Sequence, residues 1–178
     1  MLISSDRIKE LKNFCKISGL KFKDFELLNR ALSHTSYAHE QKQDRNESYE
    51  RLEFLGDAVL KLSVSDILYL EYENKTEGQL SEQRATIVSD KTISTFAEKI
   101  RLSEFILTGK CEKESGKKKE SILACAFEAL LGAIYLDNKE KGYIKAKDFL
   151  IKNFKNEILN VDFSNPKAKL QEFTQIQP

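Results

Sequence analysis

Apolar residues recur along this chain at steps of three and four, with charged and polar residues between them. That spacing predicts amphipathic helices. Both prolines come late, at Pro166 and Pro178, so the strongest helix breaker is absent from the first 165 residues. Together these features predict an all-α bundle. A first helix is expected from about Ser5 to Ile17, capped by Ser4, Ser5 or Asp6 and stopped by Gly19. A second runs from about Asp24 to Ser33, and the polar stretch His34 to Asn46 reads as a loop. A long helix follows from about Glu47 to Tyr72, with Leu52, Leu55, Val59 and Leu62 as its apolar stripe, widened by Leu60, Val64 and Ile67. Glu77 to Val88 and Asp90 to Lys99 give two more helices, and Lys110 to Glu120 a charged, glycine-containing loop. An apolar helix from about Ser121 to Leu136 and an amphipathic one from about Tyr143 to Leu159 complete the pattern.

Composition narrows the class. The 178 residues suffice for one domain with a real core, and 40% hydrophobic with 32% charged residues is an ordinary globular balance. The net charge of +1 neither demands nor excludes a polyanionic partner. Three cysteines, Cys15, Cys111 and Cys125, have neither metal-type spacing nor an even count, which argues against a disulfide framework. The opening residues carry charge too early for a secretory signal. Glu128 interrupts the longest apolar run, so no membrane-spanning segment is expected. A soluble, cytoplasmic protein is the expectation.

The acids carry the chemistry. Glu50, Glu53 and Asp57 fall at helical steps and stack along one stripe, where like charges repel. Glu128 is the only charge between Ile122 and Leu136, and Cys125 lies one turn before it on the same face. Carboxylates from two helices suit a hard divalent cation, which lowers the pKa of a bound water and stabilises a phosphoryl transition state. Phosphodiester hydrolysis fits these parts. The alternative is structural: solvated helix-surface acids, or a buried pair of Glu128 with Arg51 or Arg84. His34 and His39 lack a Glu-x-x-His partner, which argues against a di-iron bundle. His34 is expected to be a hydrogen-bonded structural residue.

Four blocks resemble one family. Tyr49 to Leu60, reading Tyr-Glu-Arg-Leu-Glu-Phe-Leu-Gly-Asp-Ala-Val-Leu, is similar to the signature helix of ribonuclease III, the double-stranded-RNA endonuclease. Phe25 to Ser36, Glu77 to Ser89 and Ser121 to Asp137 resemble the early helix, the middle segment and the second acidic helix, in the family's order. The resemblance implies a helical endonuclease domain over residues 1–160 that forms a homodimer with a valley for duplex RNA. It also implies Mg²⁺-assisted water attack (Mn²⁺ being an alternative ion), 5′-phosphate ends, short 3′ overhangs and a place in RNA processing. No small-molecule cofactor is expected. Glu53, Asp57 and Glu128 match the metal-site and catalytic positions; Glu50 and Glu77 match further acids near the cleavage valley. Phe54 matches the aromatic that inserts into the partner subunit, against an ordinary core phenylalanine as its alternative. Lys117 and Lys118, in a run with Lys119, read either as phosphate contacts or as a solvated loop.

Two departures stand out. The family's aspartate, three residues before the second helix's glutamate, is Cys125 here. A thiolate suits softer metals than Mg²⁺, and Asp137 lies more than three turns beyond Cys125, too far to substitute. The site then works with three acids, shifts toward Mn²⁺, or belongs to a non-cleaving dimeric RNA-binding or scaffold protein of the same fold. Residues 161–178 form the second departure. Asn165-Pro166 reads as a junction, and the segment to Gln175 resembles the opening of a double-stranded-RNA-binding domain that the sequence given does not complete.

Overall fold

The computed structural model describes residues 3–42, 44–110, 112 and 119–160. Lys117, Lys118 and the expected linker and domain start at 161–178 lie outside the described residues. Those residues are helical, and their one β-type pairing is an isolated parallel bridge between Ser33 and Leu107.

Local chemistry sets the element ends. Helix α1 (Ser5–Ser18) begins where Ser4 Oγ accepts the Arg7 N–H, and it stops at Gly19, whose φ of 70° lies in the left-handed region. Asp24 caps α2 (Phe25–Ala31) by accepting the Leu27 N–H at 2.9 Å. The expected loop at 34–46 is corrected: it contains α3 (Thr35–Glu40) and a 3₁₀ turn at Arg45–Glu47. No apolar periodicity announced α3. His34 caps it, with Nδ1 accepting the Ser36 N–H at 3.1 Å, so this histidine is structural as expected.

The long helix α4 (Glu50–Glu71) begins three residues later than its predicted start. Its buried face is also rotated from the expected stripe. Leu52, Val59, Leu60, Val64, Ile67 and Leu68 are buried, Leu55 is half-buried and Leu62 is exposed. A capping box of Thr76 and Gln79 opens α5 (Glu77–Ile87), and Ser89 caps α6 (Asp90–Lys99). The apolar helix α7 (Glu120–Asp137) runs through the centre, buried on nearly every side, and α8 (Gly142–Asn160) closes the bundle.

Phe96 of α6, Phe127 of α7 and Phe149 and Phe154 of α8 pack as one aromatic group, with Phe96 and Phe154 stacked at 4.6 Å. Two buried charges lock the periphery. Arg7 donates to the Phe105 carbonyl at 2.7 Å and to Asn29 Oδ1 at 2.9 Å. Asp137 accepts the backbone N–H groups of Lys23 and Asp24, so its charge is met by the α1–α2 connection. None of the helices described is long and apolar enough to cross a membrane.

Candidate active site at a two-helix crossing

Two glycines bring α4 and α7 together. A Cβ on Gly56 would stand 1.7 Å from the Glu128 carbonyl oxygen, and one on Gly132 would stand 2.3 Å from the Leu52 carbonyl oxygen. The backbones therefore touch, and any side chain at either position would force them apart. The site follows from this contact. Glu53 and Asp57 flank Gly56 on α4, and Glu128 with Cys125 one turn earlier faces them from α7. All four side chains are half-buried.

Acid crowds acid at the crossing. Glu128 is pushed up to about 7, first by burial and then by the charges of Asp57, Glu53 and Asp90, with only Lys61 opposing among its principal influences. Burial also raises Glu53; a hydrogen bond from Cys125 counteracts this, while Glu50, Asp57 and Asp90 reinforce it. Asp57 has a cationic partner, Lys61 Nζ at 2.8 Å one turn along α4. Burial, then the Glu53 charge, pushes the Cys125 thiol up to about 12, so at neutral pH it is an S–H donor to Glu53 rather than a thiolate. The buried Tyr49 hydroxyl is held protonated chiefly by burial, and its side chain hydrogen-bonds to Cys125.

Of the sequence-predicted residues, the structure gathers Glu53, Asp57, Glu128, Cys125 and, at the first position of α4, Glu50. It sets Glu77 elsewhere. That side chain is exposed at the start of α5, accepts from Ser81 Oγ at 2.7 Å, and lines a separate cleft of about 700 Å³ with Leu62, Tyr69 and Arg84. Phe54 points outward with 83% of its surface exposed, which removes the core-phenylalanine alternative. Arg84 donates to Ser65 Oγ at 2.9 Å and Arg51 is exposed. Asp90 and Lys61 belong to the charge cluster and escaped the sequence reading. Lys61 was visible as an i+4 partner of Asp57. Asp90 stands in the first turn of α6 after the Ser89 cap, where an acid is ordinary, and only the folding of α6 onto α7 brings it here.

Among the described residues, no three acidic, thiol or imidazole side chains already form a finished metal-binding set. The donor chemistry nonetheless fits a hard divalent cation. Three half-buried carboxylates with one ammonium among them leave uncompensated negative charge, and an ion such as Mg²⁺ keeps several waters and takes only one or two carboxylates directly.

Known proteins share this sequence pattern and fold. The ribonuclease-III-like family pattern matches residues 24–158. The chain is 44% identical to ribonuclease 3 of Borreliella afzelii over 97% of this chain and 71% of that protein. It is 42% identical to ribonuclease 3 of Clostridium tetani over 94% of this chain and 70% of that protein. Among solved structures, the nuclease domain of ribonuclease III from Campylobacter jejuni superposes with a TM-score of 0.74 at 35% identity, covering 86% of this chain and 99% of that one. A second structure of that domain, TM-score 0.71 at 37% identity over 82% of this chain and 99% of that one, describes flexibility in a region involved in its dimer formation.

Proposed function

Because the chain belongs to the ribonuclease III family, we propose that it is a double-stranded-RNA endoribonuclease that hydrolyses phosphodiester bonds at the α4–α7 crossing. The observation that carries this reading is the meeting of Glu53, Asp57 and Glu128, from two helices, at a backbone contact enforced by Gly56 and Gly132. Like charges so placed destabilise the free protein, and a bound cation relieves that repulsion.

Glu53, Asp57 and Glu128 would hold the ion. When bound, a divalent cation of the Mg²⁺ or Mn²⁺ type supplies acidity to a coordinated water and neutralises charge on the phosphate. The chain's own residues set the geometry. Lys61 fixes the Asp57 carboxylate, the Cys125 thiol donates to Glu53, and the glycine contact keeps the two helices in one register. Cys125, standing at the family's aspartate position, acts in this reading as a hydrogen-bond donor and not as a ligand. Glu50 borders the same cluster; Glu77, in its separate cleft, and Lys117 and Lys118 are assigned to contacts along the RNA.

The active form in this reading is a homodimer. The exposed apolar stripe of Phe54, Leu62 and Tyr69 on α4 supports it, since these side chains are 83%, 57% and 72% exposed on one helix. Each subunit cuts one strand, giving 5′-phosphate ends with short 3′ overhangs and a role in RNA processing. The free thiols of Cys15 and Cys125 suit the reducing cytoplasm, where such a reaction is expected.

Glu128→Gln tests the assignment. Loss of both divalent-ion binding by calorimetry and duplex cleavage, with an unchanged circular dichroism spectrum, is expected; undiminished Mg²⁺-dependent cleavage by that variant overturns it. Cys125 favours a second reading, a non-cleaving dimeric RNA-binding protein, because a protonated thiol supplies no charge to an ion. Absence of Mg²⁺ and Mn²⁺ binding at millimolar levels selects that reading.

A further inference from the structure

Away from the acid crossing, a cleft of about 610 Å³ opens between the α1–α2 connection, the end of α7 and the first half of α8. None of its lining residues belongs to α4. It is reached through Ile134 on α7 and Asn138 just past its end, six and ten residues beyond Glu128. That is roughly 9 and 15 Å further along the axis and on another face of the helix. Its charge is opposite to that of the crossing. Lys21, Lys23, Lys145 and Lys152 surround it against one lining carboxylate, Asp148, whose contact with Lys145 is long at 4.0 Å. Asp137, beside the lining residue Asn138 in sequence, is not part of the lining, and its oxygens are taken by the backbone N–H groups of Lys23 and Asp24.

The floor is apolar, formed by Leu20, Phe22, Ile134 and Phe149. The rim is built as well as charged. A Cβ on Gly19 would stand 2.9 Å from Lys152 Nζ, so the absence of a side chain there leaves room for this ammonium at the end of α1. Asp137 in turn pins the backbone at Lys23 and Asp24. Several ammonium groups over an apolar, partly aromatic floor match a ligand with phosphates at one end and a flat ring at the other.

We propose that this cleft binds a nucleotide, its phosphates held by Lys21, Lys23 and Lys152 and its base laid on the floor of Leu20, Phe22 and Ile134. The nucleotide can be free or a unit of a single RNA strand, since both present the same chemistry. The site does not depend on the nuclease reading, and its test uses no cleavage.

The test is fluorescence anisotropy of a ribose-labelled ATP analogue with the full chain, in EDTA so that the acid crossing holds no ion. Saturable binding is expected, weakened about tenfold or more in the Lys23→Glu/Lys152→Glu double variant and unchanged in Glu128→Gln. Unlabelled ATP should displace the probe far better than inorganic tripolyphosphate. Displacement by a short oligoribonucleotide below the ATP concentration assigns the site to a strand, and the reverse order to a free nucleotide; either agrees with the proposal. No saturable binding at millimolar protein, equal binding by the double variant, or equal displacement by tripolyphosphate overturns it.

Discussion

Glu128 shows how one residue reports on a whole site. Its carboxyl titrates near 7 in the folded protein against an ordinary value of 4.5, because burial and three neighbouring acids disfavour its charge. Between those values the folded state binds more protons than the unfolded one, so stability falls as pH rises toward 7. In EDTA the melting temperature should drop between pH 5 and pH 8 as measured by calorimetry, and Glu128→Gln should flatten the drop. The effect should be a few degrees at most, since the group is only half-buried. On its proposed role as a direct ligand, Glu128→Gln should also weaken Mn²⁺ affinity by at least about 100-fold, the upper figure for loss of an outer-shell partner. Cys125→Asp restores a hard oxygen donor and should tighten Mg²⁺ binding measurably by calorimetry. Both residues were visible in sequence, Glu128 as a lone charge and Cys125 as a departure from a pattern. Asp90 was not, because nothing in Ser89-Asp90 distinguishes a site residue from a helix cap.

At the scale of elements, the α4–α7 contact organises everything else. Gly56→Ala places a methyl where the Glu128 carbonyl stands, and separating the helices should cost about 3 kcal/mol or more, readable as a lowered urea midpoint. The six long helices were legible from their period, and Ser4 and Gly19 bound α1 as their chemistry dictates; the Thr76 and Ser89 caps of α5 and α6 were seen only in the structure. What failed was short or two-sided. Helix α3 is six residues of mixed polarity, too short for a periodic signal. On α4, apolar residues occupy more than one face, so counting leucines could not show which face is inside. Leu62 was counted in the apolar stripe and is surface, whereas the exposure of Phe54 agrees with its reading as a residue that faces a partner subunit and not with its core alternative.

At the scale of the molecule, that exposed stripe on α4 is the strongest argument for self-association, because a monomer seldom leaves such aromatic and aliphatic surface uncovered. Phe54→Ala should weaken the dimer by at least about 30-fold in sedimentation equilibrium, the effect of losing a central apolar anchor. A variant that dimerises as tightly as the parent would place the interface elsewhere. The all-α class was legible from proline placement and helical spacing. That the two acidic helices share a site was expected from their acids; the Gly56–Gly132 contact that brings them together was not read from the sequence.

The crossing is proposed to be a working metal-dependent nuclease centre with three carboxylates and a thiol. Cleavage of a long RNA duplex at low salt, in Mg²⁺ and in Mn²⁺, by the protein and by Cys125→Asp, tests that most directly. The prediction is that the protein itself cuts, giving 5′-phosphate ends, and that Cys125→Asp cuts faster at limiting Mg²⁺. An inert parent beside an active Cys125→Asp, both folded and dimeric, would contradict it and identify this chain as a disabled nuclease.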